Sequence, residues 1–368
     1  MKLERLKLYN FKNYAEAEMN FEGSIHCFYG KNASGKTNIL DAIHYLGFTK
    51  SYFTGGDKPT IRFGEENFSI TGRFTTPTGV TENIKVSLKS PGQKKVSRND
   101  KDYQRFSDHI GQFPVVMISP SDSDLINNGS EVRRKYFDSV ISQFDATYLE
   151  NLIRYNKALS HRNRLLKIMK DKRMQNRAQL EVWDQQLMEY AVAIFEKRVE
   201  YNKLFSKHHA EMHSRLTDET EIASVEYDSS LMENDMKSLL DESFQSDLQA
   251  GFTTKGVHRD DYFFYINEHR ARRYASQGQQ KSYLLALKMA QYMITNEKTG
   301  HKPILLFDDV FDKLDPFRVQ MMIKMLCQDP FGQVFITDTH KLRIEDIIGA
   351  VSPIQLFKVE NGTVKADE

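Results

Sequence analysis

The stretch Gly30-Lys31-Asn32-Ala33-Ser34-Gly35-Lys36-Thr37 satisfies G-x-x-x-x-G-K-[ST] at every fixed position, and its residue types are those that grip a polyphosphate. A glycine-rich turn lets successive backbone N–H groups point inward at an anion, and a following helix offers free amides and its positive dipole end to the same charge. Lys36 then reaches the β and γ phosphates, and the Thr37 hydroxyl is a ligand for Mg²⁺. Far downstream, Pro303-Ile304-Leu305-Leu306-Phe307 is a continuous apolar run that ends in two carboxylates, Asp308 and Asp309. Such a run is typical of a strand buried in a parallel sheet, and binding residues gather at its carboxyl end. Mg²⁺ is a hard cation that takes oxygen ligands, so Asp308 is the metal-side partner for Thr37.

The flanking patterns position these groups. Ser24 to Tyr29 is apolar and strand-like before the loop, and Ile39, Leu40, Ile43 and Leu46 recur at helical spacing after it. Leu3, Leu6 and Leu8 open the chain as a strand, Phe68 to Phe74 and Ile84 to Leu88 alternate, and Arg98-Asn99-Asp100-Lys101 reads as a hairpin turn. After the apolar strand Pro114 to Ile118 the pattern turns helical for over a hundred residues. Leu149, Leu152, Tyr155 and Leu159 form one stripe, and Leu180, Trp183, Leu187, Tyr190 or Ala191, and Ile194 form another, both read as helix-packing core. His209 and His213 are four apart on this helical stretch without an acidic or Cys partner at ligand spacing, and are read as a polar helix face. Near Gly251 the pattern returns to strands, with Tyr262 to Ile266 leading into the turn Asn267-Glu268. Ser276-Gln277-Gly278-Gln279-Gln280 then precedes a helix carrying Leu284, Leu287, Ala290 and Met293.

With 368 residues and 40% hydrophobic composition the chain has enough material for two cores, and the expected division is 1–119, 120–249 and 250–368. The first and last segments form one lobe and the middle segment is an inserted helical arm. Net charge is +1, so charge informs only locally. Arg154 to Arg177 holds nine Lys and Arg against the single acid Asp171, whereas Asp218 to Asp247 holds ten acids against the single base Lys237. Arg154, Arg162, Arg164, Lys167, Lys170 and Arg173 are the candidates for contacts to nucleic-acid phosphates, while Arg133 and Arg134 are read as hydrogen-bonding within the arm. Cys27 and Cys327 are 300 positions apart and form no C-x-x-C, which argues against a disulfide framework or a zinc site and for a reduced, cytoplasmic setting. No export signal and no membrane span is expected.

The order of these elements, phosphate loop, helical insertion, Ser-x-Gly-Gln, carboxylate-ended strand, then Leu314-Asp315, resembles ABC-type ATPase heads of the SMC class. At finer grain the chain resembles, over essentially its whole length, the RecF family of DNA replication and repair proteins. The blocks that carry the resemblance are Gly35-Lys36-Thr37-Asn38, Lys50-Ser51, Arg133-Arg134 with Phe137-Asp138, Tyr155-Asn156-Lys157 with Arg162-Asn163, and His258-Arg259-Asp260-Asp261 before Ser276-Gln277-Gly278-Gln279-Gln280. Val257 stands where the family usually has Pro, Lys281 where it usually has Arg, Phe53 replaces a frequent Arg, and Asp312-Lys313-Leu314-Asp315 replaces Ser-Glu-Leu-Asp.

The resemblance implies an α/β fold, an ABC-type P-loop head with a β-rich N-terminal part and an inserted helical arm, using ATP and Mg²⁺. It implies that Asp309 orients the attacking water, that Ser276, Gly278 and Gln279 contact ATP held by a second copy, and that Asp315 lies at the seam between copies. It places the switch histidine at His340, with Asp338 and Thr339 as alternatives. It further implies slow DNA-dependent hydrolysis, ATP-dependent homodimerisation on duplex DNA or at single-strand gaps, and work with recombination mediator proteins that loads recombinase and supports SOS induction. Three other readings compete, of which an ATPase coupled to a nuclease would need an added acidic metal cluster that no spare sequence encodes. An ABC transporter subunit would need a membrane partner and a shorter insertion, and an SMC-like bridging protein would carry a hinge or an extended coiled coil.

Overall fold

Alternation decides the first sheet. Along β1 (Lys2–Phe11) the buried side chains include Leu3, Leu6, Leu8 and Phe11, and β2 (Tyr14–Asn20) returns antiparallel beside it. The chain then runs through β3 (Ile25–Tyr29), α1 (Lys36–Phe48), β4 (Asn67–Thr75), β5 (Thr81–Lys89), β6 (Gln93–Arg98), β7 (Lys101–Asp102) and β8 (Val115–Ile118). Strands β2-β1-β4-β5-β6-β7 form an antiparallel sheet with Phe68, Ile70, Phe74, Ile84, Val86 and Leu88 on its buried face. The turn between β6 and β7 has Asn99 and Asp100 at φ 50° and 62°, the two-residue geometry expected from the sequence. The computed structural model describes residues 1–90, 92–310, 318–322, 331–341 and 353–367.

A second segment holds α2 (Asp124–Asn127), α3 (Ser130–Ile141), α4 (Ala146–Lys172), α5 (Glu181–Thr217), β9 (Ala223–Asp228), α6 (Met236–Ala250), β10 (Asp261–Ile266), β11 (His269–Arg270) and α7 (Ala271–Tyr274). The chain closes with α8 (Gln277–Thr299), β12 (Ile304–Asp308), β13 (Val334–Asp338), β14 (Ile354–Glu360) and β15 (Thr363–Ala366). By contacts it divides into two compact units: Met1–Ser123 with Met212–Thr220 and Gln277–Glu368, and Asp124–Glu211 with Glu221–Ser276.

In the first unit, β14-β3-β13-β12-β8 lie parallel, with β15 antiparallel at one edge. β8, β12 and β13 are buried along their whole length because both faces of this sheet are covered. One face packs with α1, whose residues Ile39 to Phe48 are all buried, and with the apolar side of the antiparallel sheet. Ile39, Leu40, Ile43 and Leu46 have no exposed surface, and each such burial contributes roughly 1.5–3 kcal/mol. The other face packs with Leu285, Ala286, Met289 and Tyr292 of α8 and with Met212 and Leu216 at the end of α5.

Beyond residue 120 the structure differs from the sequence-based expectation in three places. The run after residue 120 is not helical throughout: Ala223, Val225 and Tyr227 alternate with exposed Ser224, Glu226 and Asp228, forming β9 inside the acidic stretch. β10 pairs with β9 and not with the sheets of the first unit, so residues 251–276 belong to the second unit by contacts. His209 and His213 are not a polar face but have no exposed surface; α5 is 37 residues long, and His213 meets the Tyr283 ring edge-on at 6.0 Å. The leucine stripe behaves as read, with Leu180, Leu187, Ala191 and Ile194 fully buried. Among the described residues no helix is long and apolar enough to cross a membrane.

Three histidines are held neutral by burial. His26, His44 and His258 are pushed down to about 4 from an ordinary 6.5, chiefly because burial penalises the imidazolium. His258 Nε2 faces the Thr253 carbonyl at 3.0 Å and so carries the proton, leaving Nδ1 to accept from Tyr155 Oη at 2.7 Å. The unfolded chain binds more protons than the fold between these values, so stability is full above about pH 6.5 and is lost as pH falls toward about 4. Asp260 and Asp308, raised by burial, act in the opposite sense. Chemical denaturation at pH 7.5 and pH 5 should show a lower midpoint at pH 5, with His258→Gln narrowing the difference by its share of the three. An unchanged midpoint would contradict this.

Candidate functional site

The loop lies between the carboxyl end of β3 and the start of α1. Gly30 adopts φ 154° and Gly35 φ 117°. A Cβ on Gly30 would collide with the Val359 carbonyl oxygen, and one on Gly35 with the Asn13 amide and the Tyr14 hydroxyl, so both glycines are required for close approach as well as for conformation. Two hairpins hold the loop from outside. Tyr14 Oη donates to the Gly35 carbonyl at 3.1 Å, and Asn13 Nδ2 donates to the Ser34 carbonyl at 3.1 Å. The Gly362 amide, in the β14–β15 turn, donates to the same Ser34 carbonyl at 3.2 Å. Asn13, Tyr14 and Gly362 were not legible as site residues because each is remote in sequence from the motif it supports.

Inside the loop, Lys36 Nζ donates to the Gly30 carbonyl at 2.8 Å and to the Lys31 carbonyl at 3.1 Å, with only 4% of the residue exposed. Among the described residues the buried Ser34 Oγ has no hydrogen-bond partner. A buried hydroxyl in that condition, within a nest of loop amides, fits an anionic oxygen. Thr37 Oγ1 donates to Asp308 Oδ1 at 2.8 Å, 271 residues away in sequence, so the two groups that the sequence separates are adjacent in the fold.

Asp308 is 5% exposed at the end of β12 and accepts a second hydroxyl, Thr337 Oγ1 of β13, at 2.8 Å. Burial raises its carboxyl above the usual range; the Thr37 and Thr337 hydroxyls oppose this only in part, and Asp309 adds to it. A carboxylate so placed gains most from a cation, and the oxygen pair of Thr37 and Asp308 suits a hard divalent one. Thr337 also accepts from the Asp309 amide at 3.0 Å, which helps hold Asp309 in the left-handed region at φ 47°. Thr337 was missed in sequence because a threonine inside an apolar strand carries no motif.

The remaining sequence candidates fall elsewhere. His340 is exposed beyond β13, its amide donating to Asp338 Oδ1 at 2.7 Å. Gly278 and Gln279 are half-buried in the first turn of α8, and Ser276 is exposed just before it. Among the described residues, the hydrogen bonds of Lys36, Thr37 and Asp308 include none to Gly278 or Gln279. Arg318 lies beside Gly278 and donates to Ser282. Asp315 and Cys327 lie outside the described residues. Cys27 is buried on β3, its thiol pushed up by burial.

In the second unit, the blocks around Arg133, Asp138, Tyr155, Arg162 and His258 assemble into buried ion networks. Arg198, 2% exposed, donates to Asp138 at 2.9 Å, to Asp260 at 2.8 Å and to the Val257 carbonyl at 2.7 Å. Arg133 grips Asp261 through Nε at 2.7 Å and Nη2 at 3.0 Å, and Arg134 donates to the Asp260 carbonyl at 2.5 Å, the internal role expected for both. Arg162 is a correction. It has no exposed surface and pairs with Asp184 and Asp247, each at 2.6 Å, so it is unavailable to an external phosphate. Arg154, Arg164, Lys167, Lys170 and Arg173 are exposed.

The same architecture is found in known proteins. The model of the RecF/RecN/SMC N terminal domain matches residues 2–365. A DNA replication and repair protein RecF from Flavobacterium johnsoniae is 46% identical over 362 residues, covering 98% of this chain and 100% of the relative. The chain belongs to the RecF family. A RecF of Phocaeicola vulgatus is 40% identical over 366 residues, covering 99% of this chain and 98% of that one. Among solved structures, the recombination mediator protein RecF-ATP in the RecFOR pathway superposes with a TM-score of 0.90 at 31% identity, covering 100% of this chain and 97% of that one. An Smc head domain from Pyrococcus furiosus shares the fold at a TM-score of 0.58 and 17% identity, covering 99% and 95%. The fold is therefore the α/β, ABC-type head that RecF proteins share with Smc heads.

Proposed function

We propose that this RecF-family chain is an ATP-dependent DNA-binding protein of replication and repair whose two copies close on ATP. The observation that carries the reading is the buried Lys36 ammonium inside the loop with Thr37 and Asp308 joined at 2.8 Å at its edge. ATP lies along the amides of Gly30 to Thr37, including those of Lys31, Asn32, Ala33, Ser34 and Gly35. Lys36 would neutralise charge on the β and γ phosphates, and Thr37 and Asp308 would hold Mg²⁺. When bound, Mg²⁺ supplies further neutralisation of the phosphate oxygens. Asp309, braced by Thr337, orients the attacking water, with His340 beyond the next strand as the switch residue. Ser276, Gly278 and Gln279 complete the site of the other copy through hydroxyl and helix N-terminal donors. Opening the site by hydrolysis then returns the pair to single chains.

DNA contacts fall to Arg154, Arg164, Lys167, Lys170 and Arg173, which are exposed and bind phosphate without reading sequence. Known RecF relatives in the RecFOR pathway support a cytoplasmic role alongside recombination mediators. The test is duplex binding across a salt series for the native chain and for Arg164→Glu/Lys167→Glu/Arg173→Glu. Each lost phosphate contact should lower the slope of log affinity against log salt by about 1. Identical slopes would move DNA off the arm.

A further inference from the structure

A buried polar chain in the first unit joins the helix after the phosphate loop to the helix that carries Gly278. On α1, the fully buried Asp41 carboxylate accepts from Ser51 Oγ and from the Tyr52 amide, each at 2.7 Å, and pairs with Lys12 Nζ at 2.6 Å. Ser51 Oγ accepts in turn from the amides of Phe53 and Thr54 at 3.2 Å, so one carboxylate ties residues 51–54 to α1. The Tyr52 hydroxyl donates to Asp122 Oδ1, beyond β8, and Asp122 Oδ2 accepts from the Ser119 amide at 2.8 Å. Lys288 of α8 closes the chain, with Nζ 2.8 Å from Asp122 Oδ1 and 3.0 Å from Tyr52 Oη. Lys288 and Asp122 are 2% and 5% exposed.

Two buried ion pairs of this kind add little net stability over apolar packing, because desolvation offsets their attraction. What they add is direction. Charged hydrogen bonds have fixed geometry, so this polar chain couples the positions of the helices that it joins. α1 starts at Lys36 and Thr37, and α8 carries Gly278 in its first turn.

We infer that Tyr52, Asp122 and Lys288 are positioning residues that set the first turn of α8 according to what the Gly30–Thr37 loop holds. This rests on the ATP-driven pairing proposed above. Tyr52, Asp122 and Lys288 all lie outside the Gly30–Thr37 loop; the relay decides whether a loaded head can receive its partner.

The test uses the full chain, native and as Tyr52→Phe and Lys288→Met, with ATP and Mg²⁺. Tyr52→Phe removes one hydroxyl and leaves the Lys288–Asp122 pair in place. Equilibrium ATP affinity is read separately from the protein concentration at which ATP produces dimers. The expected result is ATP affinity within about twofold of native with the dimer midpoint shifted about tenfold upward, the worth of one charged hydrogen bond. Variants that dimerise at the native concentration overturn the relay alone, as does a proportional loss of ATP affinity, which a static latch would give. A native chain that stays monomeric with ATP overturns the pairing reading and the relay with it.

Discussion

Replacing Lys36 with alanine is expected to leave the chain folded and to lower ATP turnover by at least about a hundredfold, the usual consequence of removing one preorganised donor from developing phosphate charge. The Lys36 ammonium is inside the loop already, held by two backbone carbonyls at 2.8 and 3.1 Å, so little reorganisation is needed to present it to an anion. Folding should survive because α1 is anchored by Ile39, Leu40, Ile43 and Leu46, all without exposed surface and none in contact with solvent. Turnover and ATP affinity in Lys36→Ala, with far-ultraviolet circular dichroism as the control, check this. Activity within a few-fold of native would mean that the loop is not where phosphate charge is met.

Arg198→Met should cause the largest loss of stability of any single change in the second unit. It removes the counter-charge from Asp138 and Asp260 together and leaves the Val257 carbonyl without its donor. Burial alone would lower the Arg198 guanidinium, but Asp138 and the surrounding tyrosines hold it well above its ordinary value, so the fold contains it as a cation. Uncompensated buried carboxylates of this kind cost about 3–5 kcal/mol. Denaturant unfolding should show that loss, and Arg198→Met combined with Asp138→Asn should recover part of it. The exposed pair Lys135–Glu131, by contrast, should be removable with little effect. A loss as small as that of Lys135→Ala would mean that the network does not hold the unit together.

The parts of this molecule that were legible in its sequence are those whose physics is local. The glycine-bounded loop before α1, the two-residue turns at Asn99-Asp100 and Asn267-Glu268 and the fully apolar strand ending at Asp308 each depend on near neighbours, and each lies where the sequence places it. What was not legible depends on pairing across long separations. A basic run looks the same whether its members face water or carboxylates, and Arg162 meets Asp247 across 85 residues. β9 was hidden by its exposed acids, which make an amphipathic strand resemble a solvated charged segment. His209 and His213 are expected on a polar helix face because imidazole is polar, yet both lie in the interior, which their i, i+4 spacing alone does not reveal. Thr337, Asn13 and Tyr14 act only through the loop and strand that tertiary structure brings to them.

The central claim is that ATP brings two copies together through this site, and the most direct test is mass in solution by light scattering with and without ATP and Mg²⁺, for the native chain, Lys36→Ala and Asp309→Asn. A native monomer that becomes a dimer with ATP, a Lys36→Ala chain that does not, and an Asp309→Asn dimer that persists because its water is no longer oriented are the predicted results. A mass indifferent to ATP in all three would contradict the account.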